Sequence, residues 1–491
     1  MKNESIWIDK KLQKEITTNE DITTDILIIG GGITGLTTAY FLKDKDKKIT
    51  IIDRDNIGNG TTSKSTGKLT YLQNDVYENI KKKYGAFFAS NYLKSQMDAI
   101  EIVKNIIIDN RIDCNFDSNS SYLFTNEEKG VKKIKRVENI LKKSNINYKI
   151  SDNIKIKFPC LYALRVDGTA TFNPFKYLIS IKDILINNGI QIYEKIKAIN
   201  FIKTNSGFIV KTDKQKIFTK KIVIACHYPF FNLPNFYLKT YLEKSYLVAA
   251  KIDKNKKMNA ISVDKDVDSI RYYSNKYEYI IYLSEAKSLG KNMDNKKNYE
   301  KVIWRVKSTL SQEITNYWFN YDLMTLDSIP LIGYLEKDNY DLLIGTGYNT
   351  WGLTNGTIAG KVISDLLLDK VNEYSDLFNP TREMMISNAN KLVVNNISQA
   401  KIFIESKINK KQHTNKAYVV SENNISYGIY IDDNGNKYKV FNKCPHLSCS
   451  LSFNEIDKTW DCPCHGSRFD IRGVSVKGPS IYSIKLPKKE I

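Results

Sequence analysis

The chain has 491 residues, with 74 Lys+Arg against 54 Asp+Glu, 4 His and 7 Cys. That length implies roughly two to four domains and a core that needs no disulfide scaffold, while 42% apolar and 26% charged residues exclude wholesale disorder, collagen and coiled coil. No run approaches the ~18 apolar residues of a membrane span, and the N-terminus lacks the basic, apolar, small-residue order of a signal peptide, so the sequence reads as cytoplasmic.

The net charge of +20 invites a nucleic-acid reading. It is discounted because only nine of the cations are arginines, and Arg is the residue that grips phosphate and guanine bidentately. The lysines are spread among Asn and Ile. The diffuse surplus reads as a solvated surface rather than a nucleic-acid face, with an acidic protein partner or acidic substrate left open.

In chain order, residues 25–30 read as a short buried strand ended by glycine, 34–43 as a helix and 49–53 as a second strand. A longer helix is expected over 84–108, with Phe87, Phe88, Tyr92, Met97, Ile100 and Val103 near helical spacing. Residues 221–226 and 341–345 read as further buried strands and 354–368 as a helix. Residues 370–412 are polar and mixed, with a helix expected over 383–406. Beyond 415 the texture changes to short strands, 417–420 and 427–430, and a hairpin turn at Asp433-Asn434-Gly435.

Gly30-Gly31-Gly32-Ile33-Thr34-Gly35 is a G-x-G-x-x-G between strand and helix. Gly30 permits the tight turn, Gly32 lets the backbone approach a pyrophosphate, and Gly35 lets helix and strand pack closely. The helix N-terminus then faces the anion. Asp53 ends the second strand, where it can accept hydrogen bonds from a ribose. Arg54 beside it is a further candidate contact.

Four segments resemble the FAD-dependent oxidoreductases of the D-amino-acid oxidase (glycine oxidase-like) superfamily. They are Asp25 to Gly35, Gly58 to Lys68, Ile222 to His227, and Asp327 to Gly333 with Gly345 to Gly356. The resemblance spans about 20–370 and implies FAD rather than NAD. It places Thr61, Thr62, Gly67 and Lys68 along the flavin phosphates and ring. It brings Gly347, Gly352, Leu353 and Thr354 to the flavin pyrimidine edge, where a helix dipole would stabilise negative charge. The implied fold is an α/β Rossmann-type FAD-binding domain, discontinuous over 1–84, 221–232 and 326–370. An inserted α+β substrate domain takes 85–220 and 233–325.

In that insert, Ser269-Ile270-Arg271-Tyr272-Tyr273 resembles the family's substrate-facing strand. Arg271 is the candidate to hold a substrate carboxylate, against the plainer reading of a core-edge arginine. His227 reads as structural. Trp318, Tyr321 and Asp322 read equally as pocket wall or as packing.

The cysteines are unevenly placed. Four of the seven, Cys444, Cys449, Cys462 and Cys464, fall within 21 residues, together with His446 and His465. Cys444-Pro445-His446 and Cys462-Pro463-Cys464-His465 form C-x-H and C-x-x-H pairs. Cys444, His446, Cys462 and His465 could hold zinc or a [2Fe–2S] cluster. Residues 415–491 resemble an all-β Rieske domain, joined by a connector at 371–414. That resemblance implies the cluster, a loop-tying Cys449–Cys464 disulfide, a Ser467 hydroxyl near the cluster, and a covering loop at Gly478-Pro479-Ser480. Phe469 stands where high-potential members carry Tyr, so one hydrogen bond to sulfur is missing and a lower potential is expected.

The two halves together imply an FAD dehydrogenase. It would oxidise a C–N bond of an amine or amino acid and pass electrons singly through the cluster to an external acceptor, such as an acidic carrier protein. The alternatives are reverse flow, with the cluster feeding the flavin, and a redox sensor or protein-docking module.

Overall fold

The computed structural model describes residues 1–74, 76–151, 160–229, 236–252, 258–264, 267–288, 295–310, 313–383, 416–446, 448–464, 466–478 and 480–486. The helix expected over 383–406 lies almost wholly outside them. Two compact units separate: one takes 1–227, 244–286 and 300–385, the other 228–243, 287–299 and 386–491.

The first unit carries two large sheets. One is eight-stranded. Its centre is parallel: Asn339–Thr346, Lys216–Ile224, β2 (Ile22–Ile29), β3 (Ile49–Ile52) and Gln191–Tyr193. Leu331–Glu336 closes one edge antiparallel. The register sets Ile29 between Ile52 and Ile224, so β2 is buried on both faces and its second half reads as a continuous apolar run. Helix α1 (Ile33–Leu42) follows β2, and the Gly352–Leu367 helix packs on it. That packing is close because Cβ atoms at Gly356 and Gly360 would lie 2.5 Å from Ile33 and 2.6 Å from Thr37.

The other sheet has ten strands. Its path starts at β1 (Lys2–Asn3) on the edge, runs through Ile314–Thr325, Thr240–Lys251, Glu278–Ser288 and Ser269–Ser274, and ends at β4 (Lys68–Leu69). The long helix expected from 84 spans Ala86–Asp109, with Tyr92, Ile100 and Val103 buried as the spacing predicts. Phe87 departs from that expectation: it is 72% exposed, on the outward face of the first turn.

A buried ion pair ties the end of this unit to its core. Arg382 donates from Nε to Asp327 Oδ2 at 2.8 Å and from Nη2 to Oδ1 at 3.0 Å, and Tyr84 donates to the same carboxylate at 2.9 Å. Burial pushes the Asp327 carboxyl up, but Arg382 outweighs this and holds it below its ordinary 3.8. Asp327→Asn leaves a buried guanidinium without its counter-charge, so a loss of about 3–5 kcal/mol is expected in urea unfolding at neutral pH. A carboxyl held low contributes stability above its unfolded pKa and loses it as pH falls through the folded one. The gap between wild type and variant therefore narrows towards pH 3. An equal gap at both pH values would rule out the charge as its source.

The C-terminal segment from 416 is all-β. A three-stranded antiparallel sheet, Ala417–Glu422, Ile425–Ile431 and Lys437–Phe441, is accompanied by a four-stranded one, Ser452–Asn454, Thr459–Asp461, Arg468–Asp470 and Ser475–Lys477. The expected turn at 433–435 does join two antiparallel strands, with Gly435 at φ +82°. Trp460 fills the core so tightly that a Cβ on Gly428 would meet its ring at 2.6 Å.

Candidate functional site

The glycine turn is a cradle open on one side. Gly30 sits at φ +114°, and a side chain there would strike the Ala225 carbonyl carbon at 2.8 Å. Gly31 N–H donates to Asp53 Oδ2 at 2.8 Å. Gly32 caps α1 with no side-chain bond, and a Cβ added to it would meet only Thr62 Oγ1, at 3.5 Å. The space beside Gly32 is therefore open at the N-terminus of α1, where an anion would sit. Asp53 is fixed by Gly31 and by the Asp55 N–H at 2.9 Å, with its carboxyl pushed up by burial despite those donors. Arg54 points to solvent.

The other candidate residues gather around this cradle. Ile33 N–H donates to Thr62 Oγ1 at 3.4 Å, and Thr34 shares a 2.7 Å hydrogen bond with Tyr348. Thr61 opens the short 3-10 turn Thr62–Lys64. Gly347 takes φ +74°, and Gly352 begins its helix with nothing within 4 Å of an added Cβ. Leu353 is buried, and the Thr354 hydroxyl accepts from Gln73 at 3.3 Å.

Gly67 and Lys68 lie against Arg271. Gly67 has φ +73°, and a Cβ there would sit 2.3 Å from Arg271 Nη1. That nitrogen donates to Thr66 O at 2.8 Å, while the buried Nε has no partner among the described residues. Lys68 Nζ donates to Ala260 O at 3.2 Å and Ser269 Oγ at 2.5 Å. Burial pulls Lys68 down to about 7, helped by the neighbouring guanidinium, and pulls Arg271 down to about 9. The two cations are held by neutral acceptors.

Trp318 and Tyr321 are buried: the Trp318 indole donates to Lys64 O at 2.9 Å, and Tyr321 meets Phe319 edge-on at 5.4 Å. His227 contributes its carbonyl to Thr346 Oγ1 at 2.7 Å. One network was not foreseen. Gln73, Gln96, Asn355 and Tyr92, all buried, bond in a ring at 2.9–3.0 Å beneath the Gly352 helix terminus. Isolated amides on an otherwise apolar helix face were the available signal.

In the other unit, Cys444 and Cys462 lie outside the disulfide and are buried to 1% exposure, and Cys449 is bonded to Cys464 as expected. Cys462 N–H donates to Ser467 O at 2.7 Å, and Cys444 N–H to Cys449 O at 2.9 Å. His446 is partly buried, which lowers its pKa and favours the neutral imidazole a metal needs. His465 and Pro479 lie outside the described residues. Ser467 Oγ accepts from Ser480 N–H at 3.0 Å, which leaves its proton for another acceptor. Two buried thiols and a neutral imidazole on disulfide-tied loops suit a [2Fe–2S] cluster, and the open Gly32 cradle suits a dinucleotide.

Comparison with known proteins agrees. The FAD dependent oxidoreductase family model matches residues 25–366, and the Rieske [2Fe-2S] domain model matches 401–487. YhfW of Bacillus subtilis (strain 168), described as a Rieske 2Fe-2S iron-sulfur protein, is 31% identical over 95% of this chain and 94% of its own. Gamma-glutamylputrescine oxidoreductase of Escherichia coli (strain K12) is 22% identical over 72% of this chain and 85% of its own. Among solved structures, L-proline dehydrogenase from P. horikoshii superposes with a TM-score of 0.62 at 20% identity, over 74% of this chain and 98% of that one. Glycine oxidase from Geobacillus kaustophilus gives 0.62 at 14% identity, over 74% and 100%.

Phe469 is fully buried in the core that holds Cys444 and Cys462. Phe469→Tyr is expected to raise the cluster's midpoint potential by about 40 mV, the equivalent of one hydrogen bond of about 1 kcal/mol to a one-electron centre. Redox titration by EPR checks this; an unchanged or lowered potential would remove Phe469 as the determinant.

Proposed function

The chain belongs to the FAD-dependent oxidoreductase family and ends in a Rieske [2Fe-2S] domain, and on that premise we propose that it is a dehydrogenase acting on a C–N bond of an amine or amino acid. Such an oxidation would break the substrate C–H bond as C=N forms, with a hydride equivalent leaving from carbon and a proton from nitrogen. When bound, FAD accepts the two electrons together and the cluster carries them away one at a time to an external acceptor. Gly30, Gly32, Gly35 and Asp53 hold the dinucleotide. Cys444, His446, Cys462 and His465 hold the cluster.

The observation that carries this reading is the Lys68–Arg271 pair. The Arg271 guanidinium with the Lys68 amine beside it, both on neutral acceptors, would receive one carboxylate, whose charge would favour protonated Lys68, and the guanidinium Nε–H is a donor left for it. Relatives named for γ-glutamylputrescine, proline and glycine support a substrate with a C–N bond. The surplus of positive charge supports an acidic acceptor protein. Among the described residues no helix is long and apolar enough to cross a membrane.

The test is anaerobic stopped-flow absorbance against a panel of amines and amino acids, following flavin and cluster bands separately. Flavin bleaching that precedes cluster reduction is expected. Silence across the panel, with the cluster still reducible by dithionite, would overturn the reading.

A further inference from the structure

Residues 1–24 lie ahead of the family match, which begins at residue 25. They are nevertheless tied into the first unit at both ends. At one end β1 pairs in parallel with Ile314–Thr325, through Lys2↔Asn316 and Asn3↔Tyr317. At the other, Ile16 N–H donates to Glu194 Oε2 at 3.2 Å, and Glu194 N–H donates to Ile16 O at 2.6 Å. Between these anchors the segment crosses the loop that leads into Lys68. Ser5 Oγ donates to Ser63 O at 2.6 Å, and the Trp7 indole N–H donates to Ser65 O at 2.8 Å.

Trp7 is 2% exposed, and its ring faces the Arg271 guanidinium carbon at 4.6 Å. Tyr273 flanks the same group at 5.5 Å and meets Trp7 edge-on at 4.7 Å. The guanidinium is thus held by an aromatic face, by Thr66 O and by the bare backbone of Gly67. A planar cation against an indole keeps its charge and its plane while leaving its edge free to donate.

We propose that Ser5–Trp7 is a strap across the Ser63–Lys68 loop, and that Trp7 is a positioning residue that sets the Arg271 guanidinium for a carboxylate ligand. The proposal rests on the reading of Arg271 as the carboxylate receptor. Without the ring, Arg271 swings through the vacated volume, and carboxylate affinity falls while the affinity for a neutral isostere stays.

The test uses the full, FAD-loaded chain and reads ligand binding from the shift of the flavin absorbance bands. Benzoate is the anionic probe and benzamide the neutral control. Trp7→Leu is expected to raise the benzoate dissociation constant about tenfold, the loss of one desolvated cation–π contact, with benzamide unchanged. Trp7→Phe, which keeps an aromatic face, restores most of that affinity. Should Trp7→Leu fail to fold, the Ser5→Ala/Trp7→Phe double variant releases both loop bonds and is expected to weaken benzoate at least about fivefold.

Arg271→Met separates the two levels of the argument. Loss of benzoate binding in Arg271→Met, with wild-type affinity in Trp7→Leu or the double variant, would overturn the strap alone. Equal weakening of benzoate and benzamide would overturn it too, since that marks a merely structural role. Unchanged benzoate binding in Arg271→Met, or no response to benzoate in the wild type, would overturn the carboxylate reading and the strap with it.

Discussion

Replacing Gly35 by alanine is expected to cost the chain both stability and FAD, whereas replacing Gly32 by alanine costs FAD alone. A Cβ on Gly35 lies 2.0 Å from Gly30 O and 3.1 Å from Ile28 Cγ2, so α1 must move off β2. Overpacking of this kind costs about 1–3 kcal/mol, and it displaces the turn whose Gly31 N–H is bonded to Asp53. A Cβ on Gly32 meets protein only at Thr62 Oγ1, 3.5 Å away, an ordinary contact. The methyl group then stands only in the space left for the pyrophosphate. The Gly32 variant should keep the melting temperature of the apo-protein and lose at least about tenfold in FAD affinity, equivalent to about 1.4 kcal/mol. Thermal unfolding of apo-protein and the ratio of flavin to protein absorbance after reconstitution check both arms. Full flavin content in the Gly32 variant would refute the cradle as the pyrophosphate site.

The difference between those glycines was legible in the motif before any coordinates, because G-x-G-x-x-G assigns each glycine a separate duty. Asp53 was legible for the same reason: β2, α1 and β3 follow one another within about 30 residues, and local order fixes where the acid falls. The cysteine loops were legible because six rare residues crowd into one window, whereas the Cys449–Cys464 bond was implied only by the resemblance to a Rieske domain. What stayed hidden depends on long-range pairing. Nothing in Lys2-Asn3 announces that it pairs with Asn316 and Tyr317, more than 300 positions away. Lys68-Leu69 looks like the end of a loop until Thr171 and Ala170 turn it into a strand. Trp7 is one aromatic residue in a charged segment, and only the fold brings it to Arg271. Phe87 shows the reverse error. Its spacing placed it on the apolar face, but the helix starts one residue before it, where the first turn faces outward. Arg271 lies on a strand as its motif predicts, and the resemblance sets its neighbour Lys68 in the flavin loop, in a separate motif. The strands that carry the two residues are not neighbours in the sheet, so their coupling comes from the tertiary fold and not from either motif.

Cys444→Ser and Cys462→Ser are each expected to abolish the cluster, with a different outcome for Cys449→Ser. Cys444 and Cys462 are buried in a small core of Trp460, Phe469, Val440 and Leu451, and the sulfurs beside Cys462, those of Cys449 and Cys464, are taken up in the disulfide and are no ready substitute ligands. Serine oxygen is a hard, weakly acidic substitute for the thiolate that a [2Fe–2S] centre needs. The visible absorbance of the cluster and the EPR signal of its reduced form should disappear in both variants. Metal binding is also folding energy in so small a unit, so its unfolding transition should fall as well. Cys449→Ser removes only a tie across 15 residues, worth about 3 kcal/mol in loop entropy. It should assemble the cluster and lose it faster on heating. Flavin content should be wild type in all three, because the residues that cradle the dinucleotide belong to the other compact unit. A substrate would therefore still bleach the flavin in Cys462→Ser, and steady-state reduction of an external one-electron acceptor would fall at least about a hundredfold, a barrier increase of about 2.7 kcal/mol. Undiminished acceptor reduction without the cluster would show that electrons leave the flavin directly and that the cluster lies off the path.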